Sequence, residues 1–272
     1  MQVNTNIMAF NASRNLGISN SALGKSLEKL SSGFRINRAG DDAAGLVISQ
    51  KLRAEVSGLQ QATRNAQDGI SFAQTAEGAL SEVHNMLNRM RDLGVQAAND
   101  TNDASARDAI KSEVDALASE IGRIGSDTTF SGAKVFSDTA LNFQVGAGAT
   151  GNQIQVQVGA LDATNVGGTD LTNLQVDSAA NARTSIDSID TAIAAISTSR
   201  GNLGAAQNRF ESVINNLQVT TENLSASESR IRDTDMATEM VNFTKNQILM
   251  QAGTAMLGQA NSIPQSVLRL LA

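Results

Sequence analysis

Two pairs of carboxylates, Asp41/Asp42 and Asp233/Asp235, are spaced as general acid–base chemistry could use them, and arginines flank both: Arg35 and Arg38, Arg230 and Arg232. Acid–base catalysis needs such a pair in a desolvated pocket, where one member can hold a proton near neutral pH. Both pairs instead fall in short segments where the hydrophobic period breaks. Helix caps and linker ion pairs need only this local mixture of charge. A literal G-x-G-x-x-G is present at Gly146, Gly148 and Gly151. A dinucleotide site requires a helix next, whose N-terminus holds the pyrophosphate. The residues that follow, "NQIQVQV", alternate like a strand, so these glycines are expected to close a hairpin. His84 is the sole histidine and cysteine is absent, which leaves no ligand set for structural zinc and no disulfide framework. No G-x-S-x-G is present, and a Ser/His/Asp arrangement could be built only around His84. The expectation is a chain with no catalytic residue, no metal and no cofactor.

The elements that carry these residues read as long helices. Only 3% of the 272 residues are aromatic, with no Trp or Tyr and one Pro, while apolar residues make up 41%. Such a chain packs through aliphatic and small side chains on helices rather than through a bulky core. A net charge of -6 and a pI near 4.9, with no basic run, exclude a nucleic-acid binder. No stretch approaches the roughly 18–20 apolar residues that span a bilayer, so membrane insertion is not expected. The opening "MQVNTNIMAFNASRN" lacks the basic start and apolar segment of a secretory signal peptide, so export is expected to use another route.

Seven-residue spacing is the strongest regularity. Ile189, Ile196, Leu203, Phe210, Leu217, Leu224 and Ile231 stand seven apart, with Ala192, Ala206 and Val213 in the companion position. Spacing of this kind keeps one helix seam facing a partner. At about 1.5 Å per residue the seam runs on the order of 60 Å. A second seam, Met236, Phe243, Met250 and Leu257 with Met240 beside it, restarts out of phase within "RIRDTDMA". The N-terminal half mirrors this arrangement. Leu16, Leu23 and Leu30, with Leu27 and Phe34 alongside, are interrupted by "SSGFRINRAGDDAAG", and a longer helix resumes through Leu52, Leu59, Ala66, Ala73, Leu80 and Leu87, with Val83 and Met90 on a neighbouring stripe. The eight Met residues, among them Met236, Met240 and Met250 at helical spacing, suit a flexible helix interface.

A further helix is expected from Ala104 to Ile124, entered through the capping chemistry of "NDTNDAS". Between about 130 and 177 the period changes to two, in "LNFQV" and "QIQVQV", which predicts a small β region with Gly-rich turns. The tail "SVLRLLA" carries Val267, Leu268, Leu270 and Leu271, which cover more than one face of a last short helix begun by Pro264. Such a helix is expected to be covered by neighbours. In "LNRMRDLGVQAAND", Leu87 to Asp100, Arg89 and Leu93 are four apart and share a helix face, while Leu87, Met90 and Ala97 belong to the inward stripe. The residues alone read as a solvated face. The fold class expected is mainly α: a long helical bundle or coiled coil from paired terminal segments, with a small β-hairpin region mid-chain.

Three segments resemble bacterial flagellin in order and spacing: "LEKLSSGFRINRAGDDAAGL" (Leu27 to Leu46), "NRMRDLGVQAAND" (Asn88 to Asp100), and "SRIRDTDMATEMVNFTKNQILMQAGTAMLGQANSIPQSVLRLL" (Ser229 to Leu271). The resemblance spans about the first 135 and last 90 residues. It departs mid-chain, where many flagellins insert large variable domains and this chain has only a short β region.

The resemblance implies two domains, each discontinuous: residues 1–44 with 232–272 as an inner coiled coil lining a filament channel, and 45–231 as an outer helical domain. It implies a structural subunit of the extracellular flagellar filament, exported unfolded through the flagellar type III apparatus with a C-terminal chaperone. Subunits would polymerise under a filament cap, above hook-junction proteins, into a helical homopolymer. Terminal segments without a folded partner would order on assembly. The self-assembly seams would be Leu16, Leu23, Leu27, Leu30, Met236, Phe243, Met250, Leu257, Leu268 and Leu271. A host Toll-like receptor would read the monomer at Arg89, Leu93 and Glu113. Two other readings stand beside this one: a hook–filament junction protein, and a helical coiled-coil adaptor.

Overall fold

The computed structural model describes residues 5–148 and 151–271, with side chains as far as Ile263. Among these residues are five helices: α1 (Ile7–Ser32), α2 (Ala43–Ala97), α3 (Ala104–Asp127), α4 (Ala179–Arg232) and α5 (Met236–Leu271). Between α3 and α4 lie three antiparallel strand pairs: β1 (Thr129–Phe130) with β2 (Ala133–Lys134), β3 (Leu141–Gln144) with β4 (Gln153–Val156), and β5 (Leu161–Asp162) with β6 (Asn165–Val166). The fold is mainly α with a small β region. Contacts divide the chain into two compact units, unit 1 comprising Met1–Val56 and Glu222–Ala272 and unit 2 comprising Ser57–Thr221.

Unit 2 holds the core. On α2 the buried positions Leu59, Ala62, Ala66, Gly69, Ala73, Ala76, Leu80, Val83, Leu87, Met90, Gly94 and Ala97 alternate steps of three and four, the two seam positions of a heptad. On α4, Ile189, Ala192, Ile196, Leu203, Ala206, Phe210 and Leu217 are buried on the same principle, and α3 adds Ile110, Val114, Ala118 and Ile121. Four phenylalanines join helices to strands. Phe210 meets Phe143 edge-on at 5.5 Å, Phe143 meets Phe72 at 5.7 Å, and Phe72 meets Phe130 at 5.9 Å. Room for the Phe210 ring exists because position 69 is glycine; a Cβ there would lie 2.5 Å from the ring tip.

The strand pairs cap this core. Ile154 and Val156 of β4 are buried while Gln153 and Gln155 face out, as the alternation requires. Gly146, Gly148 and Gly151 lie between β3 and β4, so the glycine motif closes a hairpin and no helix follows it. Asp103 caps α3 by accepting from the Ala106 N–H, and α3 runs one turn beyond Ile124 to Asp127, with Gly125 packed against Leu161 of β5.

Unit 1 is thinner. Asn6 caps α1 by accepting from the Ala9 N–H, and Gly33 ends it at φ 74°, a left-handed conformation that disfavours a side chain. Helices α1 and α5 pair antiparallel. Asn6 donates to the Ala260 carbonyl at 2.7 Å, Gly253 packs on Leu16, and Lys29 faces Glu239 at 3.9 Å. The expected separate last helix is a correction. Helix α5 continues through Pro264 to Leu271, although an interior proline removes one backbone hydrogen bond and crowds the carbonyl four residues before it.

The helix breaks lie at residues 33–42 and 233–235. The compact units divide further in along α2 and α4, because buried apolar side chains on those helices begin at Leu59 and end at Leu217.

Candidate functional site

Near the helix breaks the carboxylates of Asp41, Asp42 and Asp235 accept from backbone N–H groups, and that of Asp233 accepts from the Ser229 hydroxyl at 2.6 Å. Asp42 accepts from the Gly45 N–H at the start of α2, and Asp41 accepts from the Asn37 and Arg38 N–H groups. Asp235 starts α5, accepting from the Ala237 and Thr238 N–H groups and from the Thr238 hydroxyl. Phe34 and Asp233 form a one-residue antiparallel bridge, and the Arg232 guanidinium stacks 4.3 Å from the Phe34 ring centre.

The hydrogen bond from the Thr238 hydroxyl, with those from the Thr238 and Ala237 amides, holds the Asp235 carboxyl below its ordinary range. A carboxyl depressed in the folded state stabilises it fully above the unfolded value of about 4, and that stabilisation disappears as pH falls through the lower folded value. Asp235→Ala is therefore expected to fray the first turn of α5. Hydrogen exchange at Ala237–Met240 should accelerate at neutral pH and approach that of the parent in strong acid.

The seam of the α1/α5 pair uses Leu16, Leu23 and Leu30 from α1 and Phe243, Met250 and Leu257 from α5, all half-buried. Leu27 and Met236 stand off it, 50% and 47% exposed. Leu268 and Leu271 fall where side chains lie outside the described residues. A second apolar stripe runs along α5 where Met240, Val241, Ile248 and Leu249 line a shallow trough with Thr244 and Lys245. On α1, Ile7, Met8, Phe10 and Ile18 are also exposed. Among the described residues, all the exposed large apolar side chains except Val95 and Val219 belong to unit 1. The step of seven from Val241 to Ile248 was the available sign of this outer stripe, and it is masked by the stronger seam beside it.

Covering a fully exposed large aliphatic side chain contributes about 1.5–3 kcal/mol, and one already half-covered about half of that. The four trough residues thus supply a few kcal/mol, against roughly 4–15 kcal/mol for fixing one chain to another. The trough alone therefore leaves little surplus for holding a partner.

The Arg89 surface belongs to unit 2. Arg89 on α2 donates to Glu113 on α3, with N–O distances of 2.7 and 2.8 Å, and both side chains are about half exposed. Arg91 pairs with Asp190 of α4 at 2.7 Å. Leu93, by contrast, is 2% exposed and packs in the core, so the structure brings Arg89 and Glu113 together at the surface and leaves Leu93 out of that surface. His84 is half-buried, and its Nδ1 has no hydrogen-bond partner.

The chain is similar to known proteins. The family model for the bacterial flagellin N-terminal helical region matches residues 3–140, and that for the C-terminal helical region matches residues 186–271. A flagellin of Halalkalibacterium halodurans is 50% identical over 272 residues, covering all of both chains. One from Bacillus subtilis is 47% identical over 304 residues, again with full coverage of both. A flagellar filament 33 kDa core protein of Treponema phagedenis is 45% identical over 286 residues, also with both chains fully covered. Among solved structures, the crystal structure of Bacillus cereus flagellin aligns with a TM-score of 0.50 and 33% identity, covering 61% of this chain and 94% of that one.

Proposed function

The chain belongs to the bacterial flagellin family, and from that membership we propose that its α1/α5 pair completes its packing only between neighbouring subunits of a filament. As a flagellin it is a structural protein and not an enzyme, a subunit of the extracellular flagellar filament. The observation that carries the finer reading is the concentration of exposed apolar side chains on unit 1, whereas the core of unit 2 is closed.

In this reading residues 1–44 and 232–272 form the inner domain that lines the channel, and residues 45–231 form the layer around it. The Leu16–Leu23–Leu30 and Phe243–Met250–Leu257 seam joins the two terminal helices, while Leu27, Met236, the α5 trough and the tail with Leu268 and Leu271 meet other subunits. A free subunit with these faces open needs a chaperone on its C-terminal segment before export. Short filament seeds supplied with purified chain should lengthen in negative-stain images. Seeds that keep their length at high subunit concentration would refute the reading, and an adaptor or a low-copy junction protein would then fit better.

We also infer that the exposed Arg89–Glu113 pair is the surface a Toll-like receptor would read on the monomer, with Leu93 held in the core of the same unit. An exposed ion pair of this kind contributes about 0–1 kcal/mol to stability. Arg89→Ala should therefore leave the melting temperature nearly unchanged while weakening receptor-reporter activation by monomer. Equal responses from variant and parent at matched concentration would remove Arg89 from that surface.

A further inference from the structure

Among the described residues, the exposed methionines all lie in unit 1. Met8, Met236, Met240 and Met256 are exposed by 62, 47, 49 and 61%, and all four belong to unit 1. Met90, in unit 2, is fully buried at 0%, and Met86 packs half-buried against the same core. The chain has no cysteine, so these thioethers are its only readily oxidised sulfurs. Met240 lines the α5 trough, and the other three stand on the same exposed apolar faces of α1 and α5.

We propose that Met8, Met236, Met240 and Met256 are oxidation sites through which a hydroperoxide blocks the free subunit from polymerising, while assembled subunits are protected. The proposal rests on the filament reading above, in which neighbours cover these faces. In the reaction a thioether sulfur lone pair attacks one oxygen of hydrogen peroxide. The S–O bond forms, the O–O bond breaks, and the departing hydroxide takes up the proton to leave as water. Sulfur is oxidised by two electrons and the peroxide is reduced. The product sulfoxide is polar and carries a strong acceptor oxygen. Burial of that oxygen in an apolar subunit contact without a donor is unfavourable, and the trough offers only Thr244 and Lys245 as polar neighbours.

The selectivity follows from burial. A peroxide reaches a half-exposed thioether directly, but reaches Met90 only through opening of unit 2. Polymerisation closes the unit 1 faces and so removes the exposed sites from the reagent. Oxidation would thus sort subunits before assembly and spare those already in place.

The test exposes purified chain to hydrogen peroxide, free or after extension of seeds, and maps added oxygen by peptide mass spectrometry. In free chain Met8, Met236, Met240 and Met256 should oxidise before Met90, and in extended filaments they should be spared. The oxidised chain should show a critical concentration for seeded growth raised at least about tenfold. Treatment with methionine sulfoxide reductases of both stereospecificities should restore the original value. A chain carrying Met8→Leu, Met236→Leu, Met240→Leu and Met256→Leu keeps apolar volume and should extend seeds equally with and without peroxide. Oxidised parent that grows at the untreated critical concentration, or whose loss the reductases fail to reverse, would overturn the proposal. So would Met90 oxidising as fast as the other four. Failure of untreated chain to extend seeds would instead overturn the filament reading itself.

Discussion

Phe210→Ala is expected to lower the unfolding free energy of unit 2 by about 3–5 kcal/mol, the usual cost of removing a fully buried phenylalanine. Phe210 is 0% exposed, fills the space left by glycine at position 69 of α2, and stacks edge-on with Phe143 of β3. Truncation opens a cavity where α2, α4 and the β3–β4 hairpin meet, and neither a helix backbone nor a short hairpin can collapse fully into it. Denaturant unfolding followed by far-UV circular dichroism measures the effect directly. A loss below about 1 kcal/mol would mean that the aromatic chain through Phe72, Phe130 and Phe143 does not act as the link between helices and strands.

The second large effect concerns assembly and leaves folding alone. A chain carrying Val241→Asp and Ile248→Asp places two carboxylates on the α5 trough, at positions 68% and 59% exposed in the free subunit. In water these substitutions cost the monomer little, and the melting of unit 2 should not move. In a filament each carboxylate would be desolvated beside apolar neighbours, at a cost of several kcal/mol. At 1.4 kcal/mol per factor of ten, the critical concentration for seeded growth should rise by at least about two orders of magnitude. Growth at the parent's critical concentration would show that the trough faces solvent in the filament.

Much of this fold is legible from period alone. The steps of seven from Ile189 to Leu217 and from Leu59 to Leu87 report which residues are buried, because a long helix against another helix repeats its environment every two turns. The breaks at "SSGFRINRAGDD" and "RDTD" are legible for the same reason, since glycine and capping aspartates end one register before the next begins. The β4 alternation and the hairpin glycines follow from the pleat. Other features depend on contacts far apart in sequence. Nothing local to Phe210 announces Phe143 or the vacancy at Gly69. Leu93 shares a helical face with Arg89 by spacing, yet it is buried in the core while Arg89 stays exposed. The outer α5 stripe is present in the sequence, but its exposure depends on which of two adjacent stripes α1 selects.

Hydrogen exchange on the unmodified chain, measured as monomer and as seeded filament, tests the central claim that neighbours complete the packing of unit 1. The account predicts that amides of α1 and α5 gain strong protection on polymerisation, while those of α2 and α4 between Leu59 and Leu217, facing a core already closed, change little. Equal protection of α1 and α5 in both states would contradict it.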